Sequence, residues 1–263
     1  MQDKIEEQIA MENRKWIDRK VLVLLGKVNG SKIELTIKEF DLGNRSSVEM
    51  VPLEKIAPSS VKSLASAINN FIEVSNIYDI TYFSFLQKNI IFLIRRPEIA
   101  CIGVEGQVEN DRVQVSNIPN WAIEDGNQIA QMCQLQDCKL INNYQCNAYG
   151  LDQITIKDYY FLTSVEANPN GVKCITGPGT GYGEAVLYKS AFANHHDVIP
   201  SEGGHVDFAP RTAEDIKMME FAKNYIETSN NVENIKSNGR ITRVSVERLC
   251  SGPAVPLLYE FYK

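Results

Sequence analysis

The chain has 263 residues, 44% hydrophobic and 23% charged, enough for one large domain or two modest ones with a core to bury. A net charge of -6 with no basic tract argues against nucleic acid or an anionic membrane surface as the main partner, and the longest apolar runs, such as Ile90-Ile91-Phe92-Leu93-Ile94, are far too short to span a membrane. Six cysteines at irregular spacings (Cys101, Cys133, Cys138, Cys146, Cys174, Cys250), with no secretory signal ahead of them, read as reduced thiols. The early acids Asp3, Glu6 and Glu7 do not suit a transit peptide, so the cytoplasm is expected, with an organelle as the alternative.

Met1 to about Lys20 is highly charged and rich in helix formers, with Ile5, Ile9, Trp16 and Ile17 as a narrow apolar stripe. It reads as a solvated surface helix or, alternatively, as a docking helix anchored by Trp16. From Lys20 the pattern turns to strands: Val21-Leu22-Val23-Leu24-Leu25 suits a buried one, and Lys32-Ile33-Glu34-Leu35-Thr36-Ile37 alternates like a half-exposed one. Gly26 to Ser31 between them reads as a tight turn, with Asn29-Gly30 as the hairpin signal. A third strand is expected at Ser47 to Leu53. After Pro58, Ser59 can cap a helix whose Val61, Leu64, Ile68, Phe71 and Ile72 share one face. Asn76 to Arg96, rich in Tyr, Phe and Ile, reads as extra strand on the core or as an exposed patch for a partner. Ile99 to Val104 is a further buried strand, so the order is β-β-β-α-β in a mixed α/β domain.

The second half is richer in motifs. Ser116-Asn117-Ile118-Pro119-Asn120-Trp121 is followed by the apolar run Leu140-Ile141, which ends in Asn142-Asn143-Tyr144. The apolar stretch Val172 to Ile175 leads into Gly177-Pro178-Gly179-Thr180-Gly181-Tyr182-Gly183, a glycine-rich turn before Ala185-Val186-Leu187. Four glycines there let backbone N–H groups converge on an anion, and Thr180 adds a hydroxyl, although such a turn alone is often only a hairpin. Glu202-Gly203-Gly204-His205-Val206-Asp207-Phe208-Ala209-Pro210 follows, with a glycine step that lets the backbone turn sharply. Val244 to Pro253 contains Glu247, and Leu257 to Tyr262 continues as a helix.

In this order and at these spacings the motifs resemble the bacterial-type glucokinases, weakly from Lys20 and closely after Ile99. The resemblance implies a ribonuclease-H-like fold of the actin, hexokinase and sugar-kinase kind. Residues 1-19 would be an extension, 20-147 a small lobe and 148-263 a truncated large lobe. By similarity, Asn120, Asn142, Glu202, His205 and Glu247 would bind a hexose, whose ring of hydroxyls needs fixed carboxylate and amide partners. Gly30 and Ser31 would belong to a first phosphate turn, and Gly177, Gly179, Thr180, Gly181 and Gly183 to a second. The family uses ATP and Mg²⁺, and no residue is assigned as a metal ligand.

Two departures from the family pattern alter what the resemblance implies. A kinase of this kind needs a base at the sugar hydroxyl, and the family's Asp corresponds here to Asn143, whose amide has no comparable basic site. In the first phosphate turn Lys27 stands where a carboxylate helps to organise Mg²⁺, although a lysine can itself contact phosphate. Glucokinases also carry roughly a hundred further residues, enough for much of a domain, which suggests a partner chain covering the lobe. The expectation is therefore a catalytically impaired glucokinase serving as a structural or regulatory subunit and retaining glucose binding. The alternatives are an active ATP-dependent glucokinase and a monomeric sugar sensor.

Overall fold

The computed structural model describes residues 19–75, 78–83, 90–115, 118, 120–151, 154–155, 157–165, 168, 170–190, 196–228, 236–237, 240–241 and 243–263, with backbone alone at 78–83, 90–94, 236–237 and 240–241. The extension ahead of Lys20, apart from Arg19, lies outside these residues, as do the side chains of 76–94. Contacts divide the chain into two units, Met1–Asn143 and Tyr144–Lys263.

In the first unit, β1 (Lys20–Asn29), β2 (Lys32–Asp41) and β3 (Ser46–Ile56) run antiparallel. Helix α1 (Leu64–Ser75) and a hairpin of β4 (Tyr78–Phe83) and β5 (Ile90–Ile94) precede β6 (Ile99–Val104), which lies parallel to β1. A short ribbon, β7 (Arg112–Val113) with β8 (Glu124–Asp125), and helix α2 (Gly126–Cys133) lead to β9 (Asp137–Asn142), parallel to β6. The sheet order β3-β2-β1-β6-β9 is that of the expected ribonuclease-H-like unit. Strand β1 lies between β2 and β6, and Val21 to Leu24 are buried in an unbroken row, as a central strand covered on both faces requires. Leu22, Leu24, Ile33, Leu35, Leu64, Ile68, Phe71, Ile102, Ile129 and Leu140 form one core, each contributing about 1.5–3 kcal/mol relative to exposure.

Two local expectations are corrected. The turn is shorter than Gly26 to Ser31: β1 continues to Asn29, which pairs with Lys32, so Gly26 lies inside a strand and only Gly30 and Ser31 turn. Ser59 caps no α-helix, because residues 58–60 form a short 3-10 turn. The cap is Ser63, whose Oγ accepts from the Ser66 N–H at 3.2 Å while the Ser66 Oγ accepts from the Ser63 N–H at 3.1 Å, a reciprocal pair that satisfies two orphan donors.

The second unit contains α3 (Asn143–Gly150, its first residue in the first unit) and an antiparallel sheet of β10 (Lys173–Pro178), β11 (Tyr182–Lys189) and β12 (His196–Ser201). Ala148, Ala185, Leu187 and Val198 are its buried centre. Helix α4 (Ala213–Thr228) precedes the two-stranded pair β13 (Lys236–Ser237) and β14 (Arg240–Ile241), then α5 (Glu247–Cys250) and α6 (Ala254–Tyr262). Ala222, Ile226, Leu249 and Leu257 pack from α4, α5 and α6 into a second cluster with Val244. None of the six cysteines is in a disulfide, and among the described residues no helix is long and apolar enough to cross a membrane.

Candidate functional site

In the second unit a 3-10 turn at Gly203–His205 follows β12. It brings the His205 Nε2 within 3.5 Å of the Glu202 Oε2, while the His205 Nδ1 lies 3.9 Å from the Glu247 Oε1. The imidazole thus stands between two carboxylates that are 45 residues apart in sequence. Both sides of this arrangement are pinned. Phe208 N–H donates to the Val244 carbonyl at 2.8 Å and Val246 N–H to the Val206 carbonyl at 3.0 Å, and Arg243 bonds both the His205 carbonyl and the Asp207 carboxylate. Glu247 is fixed by its Oε2, which accepts from the Tyr182 N–H at 2.9 Å. Its side chain keeps 22% of its surface exposed, whereas those of Glu202 and His205 are about half-exposed.

The glycine step works differently from the sequence expectation. Neither Gly203 nor Gly204 has a left-handed φ; a Cβ on Gly204 would lie 2.1 Å from the Tyr182 carbonyl oxygen, so close approach to β11 is what demands glycine. The glycine-rich motif is likewise mostly strand. β10 runs through Pro178 and β11 begins at Tyr182, so only Gly179, Thr180 and Gly181 turn. A Cβ at Gly181 would meet the Glu247 carboxylate at 2.4 Å, and one at Gly183 would strike the Tyr144 ring at 1.9 Å. The Tyr144 hydroxyl donates to the Gly177 carbonyl, so this side chain lies along the hairpin. A Cβ at Gly179 would enter open space and Thr180 is exposed, which leaves the tip of the turn accessible, with the Gly179 N–H donating to the Gly181 carbonyl at 2.7 Å.

In the first unit, Val28, Val104 and Asn142 stand side by side at the carboxyl ends of β1, β6 and β9, the edge at which open α/β sheets receive ligands. The Asn142 Nδ2 donates to the Gly106 carbonyl at 3.1 Å. Asn143 is only 8% exposed, and its Nδ2 donates to the Val28 carbonyl at 3.2 Å, while its Oδ1 is buried without a hydrogen-bond partner. Asn120 is exposed beside the buried Trp121, whose carbonyl accepts from the Gln114 Nε2 at 2.9 Å. Ser116, Asn117 and Pro119 of the same motif lie outside the described residues. At the β1–β2 turn the Asn29 Oδ1 accepts from the Ser31 N–H at 3.1 Å and the Lys32 N–H at 2.9 Å. The third donor there, the Gly30 N–H, goes to the Glu105 Oε2 at 3.1 Å. Lys27 is exposed on β1.

The family model described as Glucokinase matches residues 24–263. The chain belongs to the glucokinase family. It is 27% identical over 242 residues to a glucokinase of Nostoc sp., covering 92% of this chain and 60% of that relative. A glucokinase of Caulobacter vibrioides is 30% identical over 169 residues, 63% of this chain and 45% of the relative. Among solved structures, a glucokinase from an Antarctic psychrotroph superposes with a TM-score of 0.63 at 21% identity, covering 91% of this chain and 63% of that one. A Balamuthia mandrillaris glucokinase in complex with glucose gives 0.58 at 16%, covering 92% and 62%. These likenesses show the sugar-kinase fold. The chain thus spans about 60% of the length of the first of these curated relatives.

Of the residues singled out in this glucokinase-family chain, Glu202, His205 and Glu247 come together in one unit, and Asn142 and Asn143 flank one strand end in the other. Glu105 and Arg243 were missed. A charged residue directly after a buried parallel strand, Val104-Glu105-Gly106, is a signal that could have exposed the first. Nothing in the sequence around Arg243 announces its two bonds.

Proposed function

We propose that this chain is a hexose-binding member of the glucokinase family in which phosphoryl transfer is impaired, and that it acts as a structural or regulatory subunit. The observation that carries this reading is Asn143. Its Nδ2 donates to the Val28 carbonyl, which orients the amide and leaves the Oδ1 as its one remaining acceptor. That oxygen is buried, and an amide in any case cannot take the proton as a sugar hydroxyl attacks. Loss of such a base removes about 10²–10⁴-fold of rate.

ATP and Mg²⁺ come to this chain by family, and the residues at the first turn suit them poorly. Mg²⁺ wants hard oxygen ligands, and Lys27 brings an ammonium to the strand leading into the turn. The N–H groups of Gly30, Ser31 and Lys32 are already bonded by side-chain oxygens. The second turn keeps an accessible tip at Gly179 and Thr180, with Gly177, Gly181 and Gly183 serving the fit of Tyr144 and Glu247.

Sugar recognition fares better. The carboxylates of Glu202 and Glu247 accept from hydroxyls, and His205 between them donates or accepts according to which ring nitrogen carries the proton. Asn120 and Asn142, in the first unit, are proposed as hexose contacts on the family pattern alone. Glucose titrated calorimetrically in chelator should bind the wild-type chain without nucleotide, and Glu202→Ala should bind about tenfold or more weakly. Equal binding by both proteins would rule out this pocket. A native mass above that of the monomer is expected for the subunit role, while a strict monomer that binds glucose would favour a sensor.

A further inference from the structure

The β1–β2 turn presents three successive backbone N–H groups, the kind of concavity that receives anions. Each is already engaged. The Asn29 amide oxygen takes those of Ser31 and Lys32, together with the Ser31 hydroxyl at 2.8 Å, and the Glu105 carboxylate crosses from the end of β6 to take that of Gly30. One of the turn's acceptors is therefore an anion. The cation in the turn itself, the Lys32 ammonium, is paired with the Glu34 Oε1 at 2.7 Å. Register explains the reach: Val28 pairs with Val104, so Glu105 leaves its strand level with Asn29 and one residue from Gly30.

We propose that Glu105 is a specificity-determining residue whose carboxylate occupies the anion position at Gly30 and closes the β1–β2 turn to the phosphates of a nucleotide. An incoming phosphate oxygen must displace the carboxylate from the N–H and then remain beside it, and two like charges a few ångströms apart repel. The neutral Asn29 amide competes for the neighbouring donors but opposes no charge, so Glu105 is the discriminating group. The proposal rests on reading this turn as the family's first phosphate site.

The test uses the full chain, labelled with ¹⁵N, and inorganic tripolyphosphate in chelator as probe. The wild-type Gly30, Ser31 and Lys32 amide signals should not respond. Glu105→Ala should respond at those amides with at least about tenfold tighter binding, and Glu105→Gln, which keeps the acceptor and removes the charge, should fall between them. Equal responses in all three proteins would overturn the proposal, as would silence in all three, since something other than Glu105 would then exclude the anion. Glucose 6-phosphate formation, measured on the same samples, separates this from the impaired-kinase reading. A wild-type chain that turns over and loses that turnover in Glu105→Gln would make Glu105 a working residue rather than a barrier. Wild-type turnover unaffected by either variant would contradict the impaired-kinase reading alone.

Discussion

The cluster around His205 and the strand ends around Asn143 treat their polar groups in opposite ways. Glu202 and His205 are half-exposed, and the backbone bonds that fix their loop come from elsewhere, from Arg243, Phe208 and Val246. Their own side chains therefore remain available to hydroxyls. At the β1–β2 turn and at Asn143 the side chains are the fixtures: Asn29, Glu105 and Asn143 each bond the backbone of their own unit. On the proposed reading the hexose cluster presents Glu202 and His205 from a backbone that other residues fix, with Glu247 held by the Tyr182 N–H, whereas the turn and Asn143 use their side chains to hold the backbone.

Breaking the first region should have the larger effect. Glu247→Ala removes both the acceptor of the Tyr182 N–H and a neighbour of His205, so glucose affinity should fall about a hundredfold, against about tenfold for Glu202→Ala, measured by calorimetry. A Glu247→Ala affinity equal to wild type would remove this carboxylate from the pocket.

The strut at Asn143 is tested by Asn143→Asp. A carboxylate there sets an oxygen against the Val28 carbonyl where the amide now donates at 3.2 Å, so the variant should lose about 1–3 kcal/mol of stability at neutral pH by denaturant unfolding. It should also gain no turnover. Unchanged stability would mean that the amide is not a strut.

Much of this was legible in the chain. The buried run of β1, the apolar face of α1 and the strand before Val104 follow from periodicity alone, because a central strand and a packed helix leave few alternatives for those side chains. The bond from the Tyr182 N–H to Glu247 was not, because it depends on a contact between segments 65 residues apart. Gly26 shows a further limit: a glycine beside a hairpin signal reads as part of the turn, and only the register places it within the strand. At the capping position Ser59 and Ser63 are chemically equal, and Pro58 drew the reading to the wrong one.

Smaller effects come from groups buried in the first unit. Glu124 is 6% exposed and its Oε1 accepts from the Leu64 N–H at 3.1 Å, and burial raises its carboxyl above the usual range against the lowering by that bond. Because the folded-state value is the higher one, this residue favours folding most below the unfolded value of about 4.3 and progressively less as pH rises through the raised one. Glu124→Gln, which keeps the acceptor, should thus be more stable than wild type at neutral pH and lose that advantage in acid. An advantage independent of pH would refute the assignment.

The smallest contrast again separates the units. Burial pushes Cys133 up to about 11 and Cys138 up to about 12, so at pH 8 about one thiol in a thousand or fewer is ionised at these positions. Iodoacetamide should label the exposed Cys250 in the native chain and reach Cys133 and Cys138 only after unfolding, as read by peptide mass. Native labelling of Cys138 at a comparable rate would contradict its burial.

The most direct measurement is ATP-dependent formation of glucose 6-phosphate by the purified wild-type chain at saturating glucose and Mg²⁺. The account predicts no turnover above background in a sample that binds glucose calorimetrically. Robust turnover that disappears in Glu202→Ala would contradict it.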